Sequence, residues 1–383
     1  MHNMKKVLHI SKYYYPFIGG TEQIARECVK ALKENYIQKV ICFNSDIESI
    51  VEVVDDVEII RAGVYATISS QGISSSIGKK IKDEIAIFNP DVIIFHYPNP
   101  FVARYILKYL PNKCRLIIYW HLDIIRQKFL KNFFIVQNIR LVKRANTIIA
   151  TSPTYVDGSR YLRRVGEKCV IVPNCINVDR LQVTPQVEQR AREIRSNYPN
   201  KVICLAVGRH TRYKGIKYLI KAAHQLDDRF EIFITGKGEE TDTLISEAAD
   251  DPKIHFLGLI NDLELKAYMT AMDIFCFPSI TRNEAFGVAL AEGMYYGKPT
   301  VTFTIPGSGV NYVSINGKTG IEVENRNVSQ YAAAIKKLAD DPDLCRELGS
   351  AGKRRVEENF LDEQFRANIL HVVEKTIGDN SEK

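Results

Sequence analysis

The stretch "MDIFCFPSITRNEAFGVALAEGMYYGKP" (272–299) reads as one complete strand–loop–helix unit. "MDIFCFPS" (272–279) is a short apolar run ended by proline, the mark of a buried strand. "ITRNEAFG" is a loop, and "GVALAEGMYY" is a helix closed by Gly297 and Pro299. A buried strand that runs through a loop into a helix is half of a βαβ crossover, so repetition of this unit decides the fold class.

The unit repeats in both directions. Strand-like runs fall at 201–207, 230–235, 253–257, 272–277, 299–304 and 320–323, and helical patterns at 215–226, 240–250, 262–271, 286–296, 328–340 and 343–359. Nearer the start, strands are expected at 5–10, 37–43, 57–61, 91–96, 115–120, 146–151 and 169–172, with helices at 20–35, 76–88 and 124–144. "DVIIFH", "RLIIYW" and "NTIIAT" are continuously apolar, as expected of parallel strands covered on both faces. Near residue 180 the character changes. "NVDRLQVTPQVEQRAREIRSNYPNK" is polar, contains Pro185 and Pro199, and reads as a linker with one short helix. The expectation is an α/β protein of two doubly wound Rossmann-like domains, residues 1–180 and 181–359, facing each other across a deep cleft. Ligands in such sheets bind beside the carboxyl ends of the strands, so chemistry is sought immediately after strands.

Composition narrows the class. The chain has 383 residues, 45% apolar and 25% charged, which is ordinary for a globular protein and argues against disorder. Eight scattered cysteines without a CxxC spacing, several inside apolar runs, read as small buried hydrophobes of a reducing compartment rather than a zinc site. After "MHNMKK" comes a five-residue strand-like "VLHIS" and no signal peptide, and no apolar stretch is long enough to cross a bilayer. A cytoplasmic protein is expected. The net charge of +7 is concentrated: residues 101–170 carry fourteen Lys/Arg and three Asp/Glu, a local excess of +11. Within it, "IIRQKFLKNFFIVQNIRLVKR" (124–144) interleaves basic and apolar residues. That pattern suits a helix lying on an anionic membrane surface, and equally a core helix with a basic exposed face. Nucleic acid is not expected as a partner, because no nucleic-acid motif accompanies the charge.

Several loops after strands carry chemistry. In "SKYYYPFIGGTEQIARECVKAL", Gly19 and Gly20 precede an amphipathic helix, where bare amides suit phosphate; such a pair also marks an ordinary turn. In "AVGRHTRYKGIKYLIKAA", Gly208 leads into a loop where Arg209 and Lys214 flank a helix start, a planar fork and a point charge for one anion; the alternative is two solvated cations. Gly236 and Gly238 in "FITGKGEE" allow backbone to approach a ligand, a weak signal standing alone. Glu284 precedes the helix of the opening stretch and Glu292 lies about two turns inside it. At about 1.5 Å rise per residue they stand roughly 12 Å apart. That exceeds the roughly 9.5 Å limit of a hydrolytic carboxylate pair. It matches the span from a sugar ring to a ribose across a diphosphate. Between them the amides of Phe286, Gly287 and Val288 form a free helix N-terminus able to hold phosphate. The competing reading is a Glu284 in a capping region and a solvated Glu292.

Together, "GRHTRYKG", "GKG", "PSITRNEAFGVALAEGMYYGKP" and "NGKTGIEVE" resemble the retaining glycosyltransferases of family 4, with the GT-B fold, and the resemblance covers nearly the whole chain. It implies that the second domain binds a nucleotide-sugar donor and the first faces the acceptor, with the terminal helix (about 360–383) crossing back onto the first. By this resemblance Arg209 and Lys214 neutralise the diphosphate leaving group, which implies no metal and no other cofactor. Glu292 would accept from the ribose hydroxyls, while Glu284 would bind the transferred sugar and steady positive charge at its anomeric carbon. His121, in "IIYWHLD", would line the donor-sugar pocket, its alternative being a core histidine, with Asp123 orienting it. Gly19 and Gly20 would face the phosphates and acceptor. Residues after Gly236, with Gly258 in "FLGLI", would hold the base. "HYPNPF" (96–101), including His96 and Tyr97, would face the acceptor together with the basic region. The acceptor hydroxyl would attack on the face the nucleotide leaves.

One departure from the family is clear. Many relatives carry a "GGxPE" loop where this chain has "TIPGSGVNYVSINGKTG" (304–320), which leaves the donor sugar open. Similar loops in bacterial O-antigen and capsule transferases point to GDP-mannose, with a lipid-linked saccharide as acceptor at the inner face of the membrane. A GT-B epimerase acting on a UDP-sugar and a non-catalytic sugar-nucleotide or membrane-surface binding protein are the alternatives.

Overall fold

The structure is a computed structural model that describes residues 4–17, 19–68, 71–123 and 134–378. It divides into two compact units, Met1–Asn174 with Glu363–Lys383, and Cys175–Asp362.

The first unit is built on β1 (Lys6–Ile10), β2 (Ile37–Phe43), β3 (Ile50–Val54), β4 (Val57–Ala62), β7 (Val92–Tyr97), β8 (Arg115–Trp120), β9 (Thr147–Ala150) and β10 (Cys169–Ile171). β5 (Ala66–Ile68) and β6 (Gln71–Ile73) form a separate two-stranded pair. The large sheet runs β10-β9-β8-β7-β1-β2-β4-β3, parallel except for the β3–β4 pair. β7 is buried along its whole length, the result of helices covering both faces. Helix Gly20–Leu32 shows how: Ile24, Ala25, Cys28, Val29 and Leu32 fall on one face and are buried. The terminal helix Asp362–Gly378 belongs to this unit. Phe365 lies against Tyr119, Arg366 bonds to Glu27 at 2.9 Å, and the Thr376 and Thr147 hydroxyls meet at 2.7 Å.

The second unit carries β11 (Val202–Val207), β12 (Phe230–Thr235), β13 (Ile254–Gly258), β14 (Ile274–Phe277), β15 (Thr300–Phe303) and β16 (Gly320–Val323). All pairs are parallel, in the order β13-β12-β11-β14-β15-β16. This is the doubly wound Rossmann order, whose strand sequence reverses direction between β11 and β14. Cys204, Leu205, Phe233, Ile234, Phe275 and Cys276 form the buried middle of the sheet.

Three local features differ from the sequence expectation. β3, "IVEVV", is an edge strand with Val51 and Val53 exposed, joined to β4 by Asp55 and Asp56 at φ 53° and 64°. Helix Pro100–Tyr109 starts on Asn99, whose side chain accepts from the Val102 amide. The polar segment after residue 180 holds the expected helix, but it is longer than expected, thirteen residues from Pro185 to Asn197, capped by Thr184. It is polar because just Val187, Ala191 and Ile194 are buried, and Arg190 ties it to Glu264 of the helix Asp262–Ala271 at 2.7 Å.

Candidate active site

The reversal between β11 and β14 places two distant loops side by side. One follows β11 and carries Gly208, Arg209 and Lys214; the other follows β14 and carries Ser279 to Gly287. Their meeting point is an ion pair: Lys214 Nζ lies 2.6 Å from Glu284 Oε2, both side chains largely buried. Ser279 Oγ donates to the same carboxylate oxygen at 3.4 Å. The Lys214 stem runs past Gly208 and its ammonium lies 5.0 Å from the centroid of the Phe277 ring. Burial pulls the Lys214 pKa down, but Glu284 and Tyr213 outweigh it, so the net shift is upward, with the nearby Arg209 opposing. Arg209 itself is exposed, and no ion-pair partner is recorded for it among the described residues. The arrangement therefore offers one free guanidinium, one committed ammonium and one carboxylate at a single strand edge.

Glu284 is held from behind by the loop that departs from the family pattern. Ser308 Oγ donates to the Glu284 carbonyl, the Gly309 amide to the Ala285 carbonyl at 3.1 Å, and Asn311 braces the loop through Phe303 and Ile305. A Cβ at Gly309 would stand 2.2 Å from the Ala285 oxygen, so the close approach requires glycine there. Helix Val288–Tyr295 then starts from Gly287, at φ 95°, which accepts from the Leu290 and Ala291 amides. The amides of Val288 and Ala289 head this helix, while the Phe286 ring is buried against Phe360 and offers a ligand only its backbone.

Glu292 lies one helix face away, in a pocket lined by Arg180, Leu181, Asp262, Leu265, Lys266 and Tyr296 among others. Arg180 Nη2 bonds to Asp262 Oδ1 at 2.9 Å and Tyr296 Oη donates to the Leu181 carbonyl. Burial raises the Glu292 pKa to about 7, with Arg180 working against the shift and Asp262 adding to it. A carboxyl raised in this way holds its proton more tightly folded than unfolded. Its contribution to stability is complete below the ordinary value of 4.5 and is lost as pH rises through about 7. Glu292→Gln is expected to raise the melting temperature near pH 8 and to leave it nearly unchanged near pH 5; equal shifts at both would remove the burial argument. Gly236 and Gly258 sit at the carboxyl ends of β12 and β13, the Gly236 amide donating to the Gly258 carbonyl at 2.8 Å, and Gly238 caps back through Thr241.

In the first unit the reversal falls between β1 and β7. Gly19 caps helix Gly20–Leu32 in extended backbone, with the Glu22 carboxylate folded against it, so this helix start already faces a negative charge. His121 follows β8 and is 5% exposed. Its Nε2 lies 3.1 Å from His96 Nδ1, within hydrogen-bond distance. Asp123 Oδ1 instead accepts from Trp120 Nε1 at 2.8 Å and Ser159 Oγ at 3.0 Å. His96 and Tyr97 were expected to meet an acceptor; they are 1% and 0% exposed, Tyr97 stacked on Trp120 at 3.9 Å. Both lie within β7, which is covered on both faces. Residues 124–133 of the basic segment lie outside the described residues. Helix Ile135–Arg144 exposes Val136, Arg140 and Lys143, while Arg144 bonds to the Pro111 and Cys114 carbonyls. No described helix is long and apolar enough to cross a membrane.

Spacing along the chain gave no hint of Arg180 and Asp262 beside Glu292, nor of Ser308 and Gly309 behind Glu284. Each reaches its partner across loops of different strands.

Two Rossmann-type sheets, with cations, a carboxylate and a helix start gathered at the reversal of the second, define an enzyme of the GT-B glycosyltransferase class. Residues 18–180 match the family model Glycosyltransferase Family 4 and residues 187–355 the model Glycosyl transferases group 1. The chain belongs to the family 4 glycosyltransferases. It is 29% identical to D-rhamnosyltransferase WbpZ of Pseudomonas aeruginosa over 93% of this chain and 92% of that protein. It is 28% identical to O-antigen chain mannosyltransferase C of Escherichia coli over 93% and 94%. Among solved structures, sucrose-phosphate synthase from Thermosynechococcus elongatus superposes with a TM-score of 0.81 at 20% identity, covering 98% of this chain and 100% of that one. WaaG, a glycosyltransferase involved in lipopolysaccharide biosynthesis, gives 0.70 at 16% identity, covering 94% and 98%.

Proposed function

We propose that the protein transfers a hexose, with retention, from a nucleotide-sugar to a lipid-linked saccharide during assembly of a bacterial surface polysaccharide. The observation that carries this reading is the Lys214–Glu284 pair at the β11/β14 reversal, with Arg209 free beside it and the helix start after Gly287 close in sequence. The diphosphate lies on Arg209, Lys214 and the first amides of the helix. Glu292 accepts from the ribose, and Glu284 faces the sugar. The bond from the anomeric carbon to the nucleotide phosphate oxygen breaks, and a bond to the acceptor hydroxyl oxygen forms on the same face. A phosphate oxygen takes the hydroxyl proton. Fixed cations matching the charge that develops on the leaving group supply much of the rate.

GDP-mannose is the favoured donor, supported by the full-length likeness to a mannosyltransferase and a rhamnosyltransferase. The test is incubation of purified protein with UDP-, GDP- and ADP-sugars and a prenyl-diphosphate saccharide. Release of GDP from GDP-mannose in the presence of acceptor is expected. Epimerisation without acceptor, or no release with any pair, refutes the reading.

The basic 101–170 region, exposing Arg140, Lys143 and Val136, is proposed to rest on the anionic inner face of the membrane. Salt-sensitive flotation with liposomes containing anionic lipid is expected. Equal recovery with neutral liposomes leaves the segment as packing alone.

A further inference from the structure

The mechanism above has no part for His9 or His96, yet both belong to a stack of rings at the β1/β7 reversal. Ring centroids lie 6.1 Å apart for His9 and His96, 5.3 Å for His96 and His121, and 4.3 Å for Tyr119 and His121. His9 and His96 are each 1% exposed. A buried imidazole has two polar nitrogens to satisfy, so three in one core must be arranged with defined proton positions.

Those positions follow from the partners. Gln38 Nε2 donates to the Val29 carbonyl, which turns its Oε1 toward His9 Nε2 at 2.8 Å. His9 therefore carries its proton on Nε2. His96 Nδ1 and His121 Nε2 are 3.1 Å apart and share one proton. His96 Nε2 is buried with no partner among the described residues. A proton there would leave an orphaned N–H, which native interiors avoid more strictly than an orphaned lone pair. Burial also holds these rings neutral, His9 pushed down to about 4, His121 to about 3 and His96 well below its usual value.

We infer that His96 is a positioning residue: its Nδ1–H donates to His121 Nε2 and fixes His121 with its proton on Nδ1. His121 thereby becomes a fixed hydrogen-bond donor to an oxygen acceptor such as a sugar hydroxyl, and takes no part as a general acid or base. The inference rests on the reading, carried by the resemblance to family 4, that His121 meets the transferred sugar.

The test reads the bond and the pocket separately. Long-range nitrogen–proton NMR of histidine-labelled protein near pH 7 is expected to show His121 protonated at Nδ1 and bare at Nε2. His96→Phe keeps a flat ring but offers no donor, and should return His121 to the Nε2–H form that free imidazole prefers. It should also lower kcat about tenfold, the scale of one hydrogen bond, with KM for the nucleotide-sugar changed much less. His96→Asn keeps an N–H near the Nδ1 position and should restore both the tautomer and much of the rate. If His96→Phe does not fold, the native spectrum and His96→Asn carry the test. A native His121 protonated at Nε2, or a tautomer unmoved in His96→Phe, overturns the inference. Full activity in His121→Phe would instead refute the reading that His121 meets the sugar, whatever the NMR shows.

Discussion

Lys214→Ala is expected to lower turnover about 10³-fold, the upper range for loss of one preorganised charge-stabilising group. Lys214 has two roles that a surface lysine would not. It lies 2.6 Å from Glu284, and in the proposed mechanism it meets the leaving diphosphate. Removing it strips the leaving group of a cation and strands the Glu284 carboxylate in a largely buried site, where an unpaired charge costs several kcal/mol. Nucleotide affinity should fall together with kcat. Lys214→Arg should rescue little, because the stem runs past Gly208 to an ammonium seated near the Phe277 ring, a setting built for a compact charge. Steady-state kinetics and calorimetry with free nucleotide decide the matter. A variant within tenfold of the native rate would show that the leaving group does not depend on this cation.

Glu284→Gln has the second largest expected effect, a loss of at least about 10²-fold in kcat. It keeps the shape of the side chain and removes its charge, so developing positive charge at the anomeric carbon loses its counterpart. Its signature differs from that of Lys214→Ala. Glutamine releases the ammonium from its ion pair, so affinity for free nucleotide diphosphate should hold or rise while turnover collapses. Parallel loss of affinity and rate would mean that Glu284 acts by holding Lys214 in place and not on the sugar. The two variants thus separate the two ends of one contact.

Much of this molecule is legible along the chain. Apolar runs such as "RLIIYW", each followed by an amphipathic helix, dictate parallel strands covered on both faces. Local signals misled where an element is mostly exposed. Helix Pro185–Asn197 buries three side chains in thirteen residues, so its stretch reads as a linker with just a short helix, and β3, which turns Val51 and Val53 to solvent, does not read as a strand. The candidate site was legible in the same uneven way. "EAFGVALAE" carries its own geometry, since helical rise alone separates Glu284 from Glu292 and puts a helix start between them. The burial of His96 was not legible, because a strand written in one line does not say which of its faces is covered. In β7 both are.

The sequence by itself determined two doubly wound α/β halves and the residue types that follow their strands, because hydrophobic period and loop chemistry act over a few residues. Tertiary structure alone decided that Lys214 pairs with Glu284, that Arg180 and Asp262 flank Glu292, and that His96 lies against His121. Each of those contacts depends on which strands become neighbours. That choice is made by the packing of the whole sheet, and it leaves no mark in the spacing along any one segment.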